Sequence, residues 1–206
     1  MKKILFCLAM MVATSAAAVD DSKYLAGAVP EKDGIVTFTK SFSVPGKTAQ
    51  QISETLQTYF NRLVENSITA PGNYARIMGA EQDSIVARAC EWMVFKKKPL
   101  YLDRTRFRYQ IKAVVNGNRV TLSLSNITYY YGEDNEGENG VIFKAEEWIS
   151  DSEALNKAQT KLYPKSGKFR RKTVDRVDEI FDDAMDAFDV PEAVPAMKIR
   201  KAVIED

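Results

Sequence analysis

From Arg106 to Val115 the chain alternates strictly. Phe107, Tyr109, Ile111, Ala113 and Val115 fall on one side, and Arg106, Arg108, Gln110 and Lys112 on the other. A period of two with aromatic and β-branched residues on one face predicts a half-buried antiparallel strand. Asn116-Gly117-Asn118 supplies a hairpin turn, and Val120, Leu122 and Leu124 continue the apolar face on the return strand. The phase then slips, because Ile127 and Tyr129 are odd-numbered, which predicts a β-bulge near Ser125-Asn126 and alternation of Tyr129 to Tyr131 between core and surface. Upstream, residues 84–94 read as a strand apolar on both sides. Ala87, Ala89 and Met93 face one way and Val86, Cys90, Trp92 and Val94 the other, so it is either central or bulged near Cys90-Glu91.

The flanking segments supply the rest. Residues 36–44 alternate as a first strand, with Lys40 the exception on its apolar face, and Tyr74 to Ala80 suggest a short one. Thr48 to Gln51 is a capping box, opening an amphipathic helix on Ile52, Leu56, Tyr59, Phe60 and Leu63. Ser150 to Glu153 is a second capping box before a short helix, and residues 164–167 read as a break. Val174, Val177, Ile180, Phe181, Ala184, Met185 and Phe188 define a carboxy-terminal helix that Pro191 and Pro195 end.

The amino terminus changes the setting. Lys2 and Lys3, an apolar run of about ten residues and small residues at Ala16 and Ala18 predict a signal peptide over 1–18, with the mature protein starting near Val19. The run is too short to span a bilayer, and Cys7 lacks a lipoprotein context, so the expectation is an exported periplasmic or secreted chain that does not span the membrane. The expected plan is one domain over 19–190 and a loosely held tail over 191–206. Of 29 basic residues, Lys2 and Lys3 leave with the leader, so 27 face 28 acidic ones, a net charge of −1. That near-neutral balance argues against nucleic acid as a partner. Cys90 is then the single cysteine and cannot form an internal disulfide.

Tyr24-Leu-Ala-Gly-Ala-Val-Pro30, leading to Asp33-Gly34-Ile-Val-Thr-Phe38, with Trp148-Ile149 and Gly167-Lys-Phe-Arg170 further on, resembles the family of exported bacterial proteins called domain of unknown function 4468. The likeness runs from about Tyr24 to Phe188 and implies a fold like that of the TATA-binding protein. The expected class is therefore α+β: one antiparallel curved sheet of about five strands in β-α-β4-α order, with two main helices packed on one face. The family carries no established activity, and a fold name does not confer DNA binding.

Candidate chemistry is sparse. The chain has no histidine, which removes the commonest general base and transition-metal ligand. Cys90 lies in an apolar strand where a thiol behaves as a small hydrophobe. No catalytic residue, cofactor or metal site is expected. The acidic loop Glu133 to Gly140 lacks the ligand spacing of a calcium loop. Lys168, Arg170, Arg171 and Lys172 crowd the start of the last helix, where positive charge opposes the helix dipole and calls for acidic neighbours.

The most suggestive set is the polar side of the sheet: Arg106, Arg108 and Lys112, with Trp92 as an aromatic anchor beside them. If both helices cover the opposite face, this one is open to a partner; its plain reading is a charged outer surface. Ser84, in Asp83-Ser84-Ile85 at an expected turn, matches a three-residue acceptor pattern for O-glycosylation. The sequence thus favours a non-enzymatic envelope module that binds a protein or glycan. A small apolar-ligand carrier with a cavity between sheet and helices is the alternative, and an enzyme comes third.

Overall fold

The computed structural model describes residues 20–63, 72–81, 83–132 and 140–188. The expected signal peptide, the acidic loop at 133–139 and the expected tail from 191 lie outside the described residues.

The elements run β1 (Glu31–Lys32), β2 (Ile35–Val36), β3 (Phe38–Ser43), α1 (Ala49–Arg62), β4 (Tyr74–Ala80), β5 (Ser84–Lys98), β6 (Tyr101–Asn116), β7 (Arg119–Tyr131), β8 (Val141–Lys144), α2 (Asp151–Ala154) and α3 (Pro164–Asp186). The class is α+β, as expected, with a six-stranded sheet in place of about five strands. Its order is β3-β7-β6-β5-β4, and β8 pairs with β7. All of these pairings are antiparallel. β1 and β2 form a separate ribbon. Its turn, Asp33-Gly34, has positive φ at both residues, as a tight hairpin requires.

The bulge expected at Ser125-Asn126 is present. Arg108 pairs with Thr128 but Gln110 pairs with Ser125, and Asn126 has φ of 53°. It also explains the sixth strand: the first half of β7 pairs with β3, and the second half, re-aimed by the bulge, pairs with β8. Of the two readings of β5, the central one holds, since β4 and β6 flank it. The pairing is continuous through Cys90-Glu91; the register shift with β6 falls between Val94 and Lys96 instead.

Both long helices cover one face of the sheet. Ile52, Leu56 and Phe60 of α1 are fully buried, and so is Ile180 of α3. They meet Ile85, Ala87, Phe107, Ile111 and Leu122 from the sheet, a set without solvent exposure. Each such aliphatic or aromatic side chain contributes roughly 1.5–3 kcal/mol on burial. The Thr48–Gln51 capping box forms, closing both hydrogen bonds at the start of α1. The one at Ser150–Glu153 does not: α2 is there, but Ser150 makes no side-chain cap and its Oγ pairs with Ser152 Oγ at 3.0 Å.

The expected break at 164–167 is the start of α3, with Pro164 in its first turn. Proline lacks only an amide that would be unpaired there anyway. Gly167 lies where a Cβ would come 2.9 Å from Leu162 Cβ, so it lets α3 approach the preceding segment. α3 closes at Asp186, before either proline. No described helix is long and apolar enough to cross a membrane.

Candidate functional site

On the face away from the helices the strands present one cationic surface. The register places Trp92 opposite Arg106, Cys90 opposite Arg108, Arg88 opposite Gln110, and Val86 opposite Lys112. On the next strand Arg106 faces Tyr130, Arg108 faces Thr128, and Lys112 faces Ser123. The four residues expected to form a binding set share a face: Arg106, Arg108 and Lys112 because β6 keeps its period of two, and Trp92 of β5 because it pairs with Arg106.

Trp92 is the centre of the set. The guanidinium carbons of Arg104 and Arg106 lie 3.6 and 3.7 Å from its ring centroid, so the indole is stacked between two cations. Its backbone amide donates to Asn73 Oδ1 at 3.1 Å. Its Nε1 is buried and finds no acceptor among the described residues. Gly72 closes over Arg106: a Cβ there would stand 2.9 Å from both terminal guanidinium nitrogens. Further along, Arg108 lies 5.7 Å from the Tyr130 ring, and Arg76 of β4 lies 5.4 Å from that of Tyr74. Arg104 escaped the sequence reading, although it continues the even-numbered row of β6. Arg88 joins only through the pairing of β5 with β6.

Cys90 points to the same outer face yet is buried between Tyr74 and Arg108 of the adjacent strands. Ser84 is not in a turn. It is the half-buried first residue of β5, its carbonyl accepts from the Glu81 amide, and it pairs with Val114.

Beneath the sheet the polar groups are committed to structure. Glu91 faces the helices and is buried. It accepts from Tyr109 Oη at 3.0 Å and from Arg176 Nε at 3.0 Å. Burial, helped by the Glu91 charge, pushes the Tyr109 phenol well above its usual value. Burial works against the charged form of Arg176, but Glu91 outweighs it and the guanidinium is held more firmly protonated than usual.

The basic cluster at the start of α3 finds the acidic neighbours its position demands. Lys168 pairs with Asp103, Arg170 with Asp151, and Arg171 with Asp21. Arg170, fully buried, also donates to the carbonyls of Tyr24, Leu25 and Ile149 at 2.6 to 2.7 Å. It is a structural clamp on the amino-terminal segment. On the acidic side of α3, Lys23 bridges Asp175 and Asp178, both at 2.9 Å.

The interior between sheet and helices is packed by aliphatic side chains and by a cluster of aromatic rings around Phe169. Phe169 contacts Phe95, Tyr129, Tyr131 and Trp148 with centroids 4.5 to 5.9 Å apart. A cleft of about 570 Å³ opens between β5 and α3. Its walls are mostly charged, with Lys23, Glu91, Lys172, Asp175, Arg176 and Asp178 among them.

Fold and surface together define an α+β domain of the TATA-binding-protein type whose sheet keeps one face uncovered by its helices. The family described as "Domain of unknown function (DUF4468) with TBP-like fold" matches residues 38–130. A crystal structure of a DUF4468 family protein from Bacteroides ovatus is 39% identical, with a TM-score of 0.73, covering 85% of this chain and 99% of that one. The chain belongs to the DUF4468 family. A TBP-like protein from Parabacteroides distasonis shares the fold at 18% identity, with a TM-score of 0.62 over 79% of this chain and 97% of its own. No curated protein matches the chain.

Proposed function

We propose that this protein is an exported, non-enzymatic module of the cell envelope that binds an acidic protein surface or an acidic glycan on the uncovered face of its sheet. One observation carries the reading: Trp92, stacked between Arg104 and Arg106, sits in line with Arg108 and Lys112 on a face that neither α1 nor α3 covers. Arginine and tryptophan are the side chains that most often concentrate binding energy. Guanidinium groups also match carboxylates and sulfates in bidentate geometry.

The non-enzymatic part rests on the absence of histidine from the chain and on the burial of Cys90. A small apolar-ligand carrier has less support, because the cleft beside β5 is lined by charges and the interior is packed by aliphatic and aromatic side chains. Ligand pockets are predominantly apolar.

The test is a pull-down from envelope extract with the chain starting at Val19, beside an Arg106→Glu/Arg108→Glu variant. Acidic polysaccharide beads serve as a second bait. Binding to either bait that the double variant loses supports the reading. Binding that the double variant keeps in full sinks it.

A further inference from the structure

We propose that the far end of the β5–β6 hairpin docks this protein onto an anionic phospholipid surface. The inference is independent of the sheet-face reading and uses different residues. The hairpin stays paired to its tip: Lys96 faces Asp103, Lys97 faces Leu102, and Lys98 faces Tyr101 across the Pro99-Leu100 turn. It is a built finger rather than a loose loop. Asp103 marks its base, where it accepts from Lys168 Nζ and Tyr131 Oη, both at 2.8 Å. Beyond that rung every residue is exposed.

What the finger exposes is unusual for water. Leu100 is fully accessible, and Tyr101 and Leu102 are 52% and 42% exposed. Leu100 also takes a φ of 64°, a left-handed conformation that a leucine rarely adopts and that no packing here rewards. Three consecutive lysines, Lys96 to Lys98, stand beside these apolar groups, and residues 96–102 include no carboxylate.

A bilayer interface satisfies both halves of this pattern. Leucine enters the acyl boundary, tyrosine rests at headgroup level, and lysine heads reach anionic phosphates while their stems lie on the apolar zone. Three rungs of strand extend about 10 Å, the depth to which peripheral elements enter the interface. Charge complementarity selects the lipid class. With a net charge of only +1 over the whole chain, attraction to anionic lipid must come from a local cluster such as this one.

The experiment is co-sedimentation of the chain starting at Val19 with vesicles of phosphatidylcholine alone and of phosphatidylcholine containing phosphatidylglycerol. Three variants accompany it: Lys96→Glu/Lys97→Glu/Lys98→Glu, Leu100→Ser/Tyr101→Ser/Leu102→Ser, and the sheet-face variant Arg106→Glu/Arg108→Glu. The altered hairpin positions are exposed, so melting curves should confirm that the hairpin variants fold. The expected result is binding to the phosphatidylglycerol vesicles that weakens with salt. It should fall about a hundredfold in the lysine variant and about tenfold in the apolar one, and persist in the sheet-face variant. No binding to either vesicle overturns the proposal. So does binding that both hairpin variants retain, or loss confined to the sheet-face variant. Lipid-free dimerisation abolished by Leu100→Ser would replace it with self-association.

Discussion

Arg176 of α3 and Glu91 of β5 meet at 3.0 Å beneath the sheet, one residue along the strand from the Trp92 that faces outward. The pair joins the carboxy-terminal helix to the strand that supports the cationic face. Tyr109 Oη completes the shell of Glu91, and Arg176 Nη2 reaches the Leu63 carbonyl at 3.2 Å. Replacing Glu91 with Gln leaves a largely buried guanidinium with only the exposed Glu179, 3.2 Å from its Nη1, as counter-charge. The expected loss is about 3 kcal/mol, read as a lower urea midpoint with an unchanged slope. The Glu91→Gln/Arg176→Met double variant should recover much of it, since no buried charge is then left unpaired.

Arg170 should be the least replaceable charged residue. Its guanidinium donates to three carbonyls and to Asp151, all within 2.7 Å, and Asp151 in turn accepts from the Gly27 amide. Arg170→Lys keeps the charge but loses the planar fork, and should cost about 2–3 kcal/mol in chemical denaturation. Limited proteolysis should then cut first near Tyr24-Leu25, the segment this clamp holds.

Gly167→Ala sets two effects against each other. Alanine gains about 1 kcal/mol in helix propensity. Its Cβ, however, would come 2.9 Å from Leu162 Cβ, an atom next to the backbone that cannot swing aside. Overpacking of this kind costs about 1–3 kcal/mol, so a net loss of stability is expected in thermal or urea unfolding.

Leu100→Asn should raise stability by about 0.5–1 kcal/mol, because asparagine tolerates the left-handed conformation at φ 64° better than leucine does. The same change removes apolar surface from the hairpin tip, so vesicle binding should weaken as the melting temperature rises.

The pH response should bend at both ends. The hydrogen bond from Arg171 holds the Asp21 carboxyl below its ordinary value. Its contribution is therefore complete above about pH 4 and is lost as pH falls through the lowered folded value. Burial, with the Glu91 charge adding to it, raises the Tyr109 phenol. That contribution is complete below about pH 10 and lost as pH rises further. Urea midpoints measured against pH should show the acid slope reduced in Asp21→Asn. The alkaline slope should be reduced in Tyr109→Phe.

Local pattern determined a large part of this protein on its own. The period of two in residues 106–115, the phase slip at Ser125-Asn126, the Thr48–Gln51 cap and the 3.6-residue stripe of the last helix are written in neighbouring residues. Each survives folding because side-chain direction follows backbone geometry. The shared face of Arg106, Arg108 and Lys112 was legible for the same reason. Other features depend on residues far apart in sequence, and only the tertiary structure decided them. The stacking of Trp92 between Arg104 and Arg106 needs the β5–β6 register. The partners of Lys168, Arg170 and Arg171 lie 19 to 150 positions away in the chain. Pro164 to Gly167 illustrates the limit. Locally these residues read as a break, but Pro164 suits a helix start and Gly167 lets α3 pass Leu162, a contact the linear pattern cannot contain.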